Sequence, residues 1–240
     1  IICFLKVVDF PRKDSLRKRL KDELEKSPLS SMIPVSIVNK TGSVLCLLEP
    51  IISLDLDVDS VELDRHLAHK LLIETQIYSL GIEYLINYIK QKYDINPNAL
   101  DFLVQDNLIV PENRRSIFKY ALYLFLNDKR YEAMHILAPQ VENLFRELAQ
   151  NCGGSVTTID KDGTGQVKLL KSIFETTELL ECYNPDILFL FRALLIERAC
   201  GNIRNDIAHG LLDENDMEGS VYSYFFGDRK STRLNSSHSA

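Results

Sequence analysis

The residues whose types and spacing could support chemistry gather in one short stretch, Asn202-Ile-Arg-Asn-Asp-Ile-Ala-His-Gly at 202–210. Gly201 follows an apolar helical run and reads as a C′ residue; Asn202 then reads as the cap of a new helix, accepting a hydrogen bond from its first turn. Arg204 and Asn205 fall in that first turn, where free backbone N–H groups, a guanidinium and a carboxamide together would make an anion or phosphate pocket. His209 is four positions beyond Asn205, on the same face and about 6 Å along the axis, with an imidazole whose ordinary pKa of about 6.5 suits proton transfer. Arg204 lies about 140° around the helix from His209, so its long side chain must fold over or a partner subunit must supply the complement. Gly210 leaves room for another helix or a ligand to approach. Arg204, His209 and Asn205 are therefore the candidate catalytic residues, with Asn202, Asp206, Gly210, Glu142 and Arg146 as supporting positions. The same residue types also suit a purely structural junction. Arg204 would pair with Glu142 or Glu197, Asn205 would cap a helix end, and His209 would be a hydrogen-bonded interior residue.

Positioning this cluster falls to a helical region at 97–227, separated by Asn96-Pro97-Asn98 from a small N-terminal region at 1–96. The fold class expected is mainly α, a helical bundle with a small mixed α/β N-terminal region. Leu16, Leu20 and Leu24 make one stripe on a charged helix over 14–26, which Ser27-Pro28 ends. Two aliphatic runs in 35–48, split by Asn39-Lys-Thr-Gly, read as a hairpin. A helix capped by Asp59 or Ser60 should run to about Tyr93, with Gly81 a point of interruption. Downstream, Arg114–Asp128 and Tyr131–Gln150 carry core-facing stripes and should pack as a pair, the second kinked at Pro139 and stopped by Cys152-Gly153-Gly154. Thr157–Gly165 reads as a polar loop whose Asp/Gly run lacks the order and ending of a phosphate loop. Gln166–Leu180 and Pro185–Cys200 read as a third and a fourth helix, the fourth apolar on nearly every side, and a further one beginning near Asp216 is cut at Gly227, so that the helical domain is expected to be truncated at its C-terminus. Glu142 and Arg146, four apart on the second helix, have the spacing of an ordinary surface ion pair.

Two blocks carry a family resemblance. Asn202-Ile-Arg-Asn-Asp-Ile-Ala-His-Gly-Leu-Leu at 202–212 resembles the R-N-x-x-x-H-G signature of an uncharacterised helical family, and His135-Ile-Leu-Ala-Pro-Gln-Val-Glu-Asn-Leu-Phe-Arg at 135–146 is similar to its other block. More broadly, Arg204 and His209 resemble the Arg–His pattern of the HEPN superfamily, helical bundles that include metal-independent endoribonucleases and non-catalytic members, commonly paired as dimers. The resemblance implies a HEPN-like bundle with an RNA substrate, no metal and no cofactor. His209 would move the proton of a 2′-hydroxyl or of the leaving 5′-oxygen. Arg204 would stabilise charge on the phosphate and Asn205 would position it, leaving a 2′,3′-cyclic phosphate. A homodimer that joins two clusters would supply one histidine as acid and one as base. The alternative is a non-catalytic nucleotide- or protein-binding module in which the cluster is structural.

Bulk composition narrows the classes further. A chain of 240 residues, 45% hydrophobic and 26% charged, is long enough for a sizeable core, and its net charge of −6 argues against strong nonspecific nucleic-acid binding. The greasiest stretch, Ile187–Ile196, is interrupted by Arg192, so no membrane span is expected. Five scattered cysteines with no Cys-x-x-Cys point to a reducing cytoplasm rather than a disulfide framework or zinc site. His66 and His69 have a spacing two metal ligands could use, but nothing in the sequence completes a set, and a solvated helix face is expected. Ile1–Phe10 lacks the features of a secretory signal, and the natural N-terminus is expected upstream of it. Residues 228–240 resemble a translated sequencing adapter and are set aside as an artefact.

Overall fold

A computed structural model of the chain describes residues 11–105 and 110–227; Ile1–Phe10 and the adapter-like stretch 228–240 lie outside the described residues. The described chain is mainly helical, with two small two-stranded antiparallel sheets. No helix among the described residues is long and apolar enough to cross a membrane.

Helix α1, Lys13–Lys26, buries Leu16 and Leu20 and stops where Ser27 leaves helical geometry ahead of Pro28. Strands β1 (Val35–Val38) and β2 (Val44–Leu48) form the expected hairpin, with Val35 opposite Leu48 and a register shift between Ile37 and Val38. Its turn is fixed by the Asn39 side chain, which accepts from the Thr41 and Ser43 amides, and by Gly42 at φ 79°. Helix α2, Val61–Lys92, starts at Ser60, whose hydroxyl accepts from the Leu63 amide at 3.0 Å. The expected interruption at Gly81 does not occur. An exposed helical glycine costs only about 1 kcal/mol, and burial of Ile82, Ile86 and Ile89 just beyond it outweighs that.

After Asn96, which caps the turn led by Pro97, comes the short α3, Asp101–Val104. Helices α4 (Arg115–Leu126) and α5 (Arg130–Asn151) pack as the predicted pair, joined by a turn with Asp128 at φ 62°. Helix α5 continues through Pro139, which sits on its exposed side. It ends in a paired closure. Gly153, at φ 87°, donates to the Gln150 carbonyl and Gly154 to the Ala149 carbonyl.

The next segments depart from expectation. Thr157–Gly165 is not a plain loop: β3 (Thr157–Ile159) and β4 (Gly165–Val167) pair as an exposed hairpin, the Asp/Gly run being its turn. The single helix expected over Gln166–Leu180 is two, α6 (Leu170–Phe174) and α7 (Thr177–Cys182), because the extended Thr176 turns the chain so that both Phe174 and Leu179 are buried. Helix α8, Pro185–Ile196, is capped by Asn184 and buries almost every side, as a central helix should, but ends four residues before Cys200. Two helices end the described part of the chain, the six-residue α9 (Ile203–Ala208) and α10 (Ser220–Gly227). Gly219 separates α10 from a 3₁₀ turn over Glu214–Glu218, so the last helix starts later than expected.

One hydrophobic cluster runs from Leu16 to Phe226. Phe145 lies at its centre, with ring centroids 4.7 Å from Phe174 and 5.0 Å from Phe191, and Phe125 stacks on Phe226 at 3.8 Å. The core is continuous across Asn96: the inner side of α2 packs on α10, with Tyr78 beside Tyr224. Buried Arg130 reinforces that contact by donating to Glu83 of α2 and Ser223 of α10.

Candidate functional site

The stretch 202–210 is positioned by a tight crossing at the end of α8. The Gly201 amide donates to the Ala193 carbonyl at 3.2 Å, and a Cβ on Gly201 would lie 2.2 Å from the Leu194 carbonyl oxygen. Glycine is required there for close backbone approach, not as the left-handed C′ residue that the sequence suggests. The left-handed residue is Asn202, at φ 47°. Its side chain makes no cap. Instead it accepts from Asn205 Nδ2 at 2.8 Å and donates to Asp206 Oδ1 at 2.6 Å, while its carbonyl takes the Asn205 and Asp206 amides. The helix is only six residues long, and the Asn205 amide that the expected anion pocket would draw on is already taken by the Asn202 carbonyl.

Arg204 points back across the bundle to α5. Its Nε donates to Glu142 Oε2 at 2.7 Å, one terminal nitrogen reaches Oε1 at 3.4 Å, and the other donates to Asn205 Oδ1 at 3.3 Å. Glu142 is also bound by Arg146 at 2.6 Å, and Arg146 donates to the Lys168 carbonyl at 2.6 Å. The Glu142–Arg146 pair is therefore not a surface pair, with side chains only 14% and 16% exposed against 31% for Arg204. Burial pushes the Glu142 carboxyl up, but the hydrogen bonds and charges of Arg204 and Arg146 more than offset this, holding it below the ordinary carboxylate value. Two guanidiniums on one carboxylate leave this half-buried group with one net positive charge. Glu197, the other expected partner, makes no ion pair with Arg204 among the described residues.

His209 does not join them. It is the exposed last residue of the α9 turn, its amide donates to the Asn205 carbonyl, and its ring has no hydrogen-bond partner among the described residues. The interior hydrogen-bonded histidine of the structural alternative is thus not found at 209. Gly210, at φ 63°, closes the helix by donating to the Ile207 carbonyl while the Leu211 amide donates to the Asp206 carbonyl. Nothing lies within 4 Å of where its Cβ would be, so its glycine serves backbone conformation rather than close approach. Burial pushes the Asp206 carboxyl up, opposed in part by the Asn202 hydrogen bond and by Arg198.

Sequence reasoning missed two polar partners, the Lys168 carbonyl and the Arg130–Glu83–Ser223 network. It also misjudged the upstream histidines. His66 is buried with its Nε2 2.7 Å from the Glu49 carbonyl, and His69 is half-buried; they are not on a solvated face. Burial pushes both imidazoles below the ordinary histidine value. Among the described residues no three His, Cys, Asp or Glu side chains gather as a metal site would need. Comparison of the chain with protein-family models, curated proteins and solved structures finds no match.

Proposed function

We propose that this chain is a non-catalytic helical binding module for a protein partner, and that Arg204 fastens α9 to α5 within it. The observation that carries the reading is that each Arg204 nitrogen already has a protein acceptor, while Asn205, its expected helper, is spent on Arg204 and Asn202. A phosphate would have to compete with a carboxylate for the guanidinium. The acidic chain, at net −6, also favours a protein partner over nucleic acid. A second reading, a HEPN-like metal-independent endoribonuclease, draws on His209, whose ring is exposed, has no hydrogen-bond partner among the described residues and lies at the end of the α9 turn that carries Arg204. On that reading His209 would take the 2′-hydroxyl proton as the 2′-oxygen attacks phosphorus. A second His209, in a dimer, would protonate the departing 5′-oxygen.

The two are separated by incubating wild-type and His209→Ala proteins with total RNA and chelator, and examining the new ends. Intact RNA with both proteins is the expected result. Cuts ending in 2′,3′-cyclic phosphate, absent with His209→Ala, would overturn the binding-module reading in favour of the nuclease.

A further inference from the structure

Helix α2 is apolar on two sides. Its inner side carries Leu63, Leu67, Leu71, Ile82 and Ile86 into the core. Its outer side carries a second stripe, Ile73, Ile77, Leu80, Tyr84 and Tyr88, which are 42, 71, 72, 74 and 47% exposed. The spacing of three and four residues places all five along one line of the helix, the seam pattern of a helix pair. A single-sided helix at a surface carries one such stripe, and a helix apolar all round is covered all round.

No charged residue interrupts this outer side between Ile73 and Tyr88; the nearest is Lys92 one turn on, whose Nζ donates to the Tyr88 hydroxyl at 3.1 Å. Every exposed residue between Ile73 and Tyr88 is uncharged, the others being Gln76, Gly81 and Asn87. The two acids in that span are turned to partners, Glu74 to Arg19 and Glu83 to Arg130. The stripe is also symmetric along the chain. Ile73 stands as far before the Leu80–Gly81 midpoint as Tyr88 stands after it, and Ile77 and Tyr84 flank that midpoint equally.

We propose that this outer side of α2 binds a second copy of the same chain, the two helices antiparallel about a two-fold axis near Leu80 and Gly81. Ile77 of each copy then meets Tyr84 of the other, Ile73 meets Tyr88, and Leu80 settles over the bare backbone at Gly81. A two-fold contact demands this self-complementarity, in which each residue faces a partner that faces it back. An uncharged seam lets two identical surfaces meet without like-charge repulsion. Covering the five side chains removes on the order of 600 Å² per copy, or about 1,200 Å² in all, which reaches the lower range of stable specific interfaces. The inference rests on the protein-binding reading above, for which it names the partner, and it uses a different element from the one holding Arg204.

The test is the mass of the full chain by light scattering and sedimentation from about 1 to 100 µM, a range that brackets a micromolar dimer. A dimer is expected, and Ile77→Lys or Tyr84→Glu should each weaken it by about 100-fold or more while the far-UV spectrum of the folded chain is retained and the melt stays cooperative. Tyr120→Glu, at a tyrosine 51% exposed on α4, should leave it intact. Mixing the Ile77→Lys and Tyr84→Glu proteins should restore a dimer, because the register sets position 77 of one copy against position 84 of the other. A wild-type monomer overturns the proposal. If Tyr84 is then protected from nitration, the stripe is covered within the chain; if it is reactive, the surface serves a different protein. A dimer indifferent to both α2 variants, or a mixture that stays monomeric, also overturns it. RNA incubated with the same samples reports separately on the binding-module reading, since cleavage would sink that reading without touching the dimer.

Discussion

At the scale of single residues, the decisive group is the Glu142 carboxylate, which serves two guanidiniums from different elements. Replacing Glu142 by Gln keeps the shape but leaves Arg146 and Arg204 facing a neutral amide in a half-buried setting. The expected loss is about 1–3 kcal/mol, less than for a fully buried pair because Arg204 retains access to water. Urea unfolding of the variant checks it, and an unchanged midpoint would mean that the fastening is idle. Arg204, Asn205 and Glu142 were legible in the sequence as a set, since their types and order suit an ion pair between helices. Which acid Arg204 would choose was not legible, because Glu142 and Glu197 differ only in where the fold puts them. The histidines show the same limit. His66 owes its burial and its bond to the Glu49 carbonyl, 17 positions away, to the packing of the β1–β2 hairpin on α2, which no local pattern in α2 encodes.

At the scale of elements, the long helices were legible because their apolar spacing is strong and their caps are explicit, as with Ser60 and Asn184. The short elements were not. Three β-branched residues at Thr157–Ile159 favour a strand but make too short a run to declare one, and the division of α6 from α7 answers the need to turn two apolar faces onto α5, a demand from the bundle rather than from the segment. The crossing between α8 and α9 was legible only as two glycines whose roles were misassigned. Their replacement should separate those roles. Gly201→Ala forces a carbon into the Leu194 carbonyl and should cost about 4 kcal/mol or more, whereas Gly210→Ala meets open space and should cost only the left-handed backbone strain, about 1–2 kcal/mol. Equal thermal shifts for the two variants would contradict this account of the crossing.

At the scale of the whole molecule, the predicted divide at Asn96 marks a change of element, while the core passes through it from Leu16 to Phe226. Acid should therefore weaken the molecule in stages set by groups in both parts. His66 and His69 have folded pKa values below the ordinary 6.5, so the unfolded chain takes up protons first; their contribution is full above about pH 6.5 and declines as pH falls below it. Glu142, also lowered, contributes fully above its ordinary value of 4.5 and is lost as pH falls through its folded value beneath that. Glu74, raised by burial against the opposing pull of Arg19, has the opposite sign and recovers stability on protonation. Urea midpoints should thus fall between about pH 7.5 and 5.5, and a His66→Gln variant should flatten that first decline; a midpoint indifferent to pH there would show that the histidines are not held neutral. The joining of α2 to α10 also has a meaning in time. Glu83 and Ser223, which meet across that contact, are 140 positions apart. At a synthesis rate of about 5–20 residues per second, on the order of ten seconds separate their emergence from the ribosome. Through that interval the part of α2 that packs on α10 stays open beside the outer stripe, which makes the nascent chain a client for chaperones until α10 arrives.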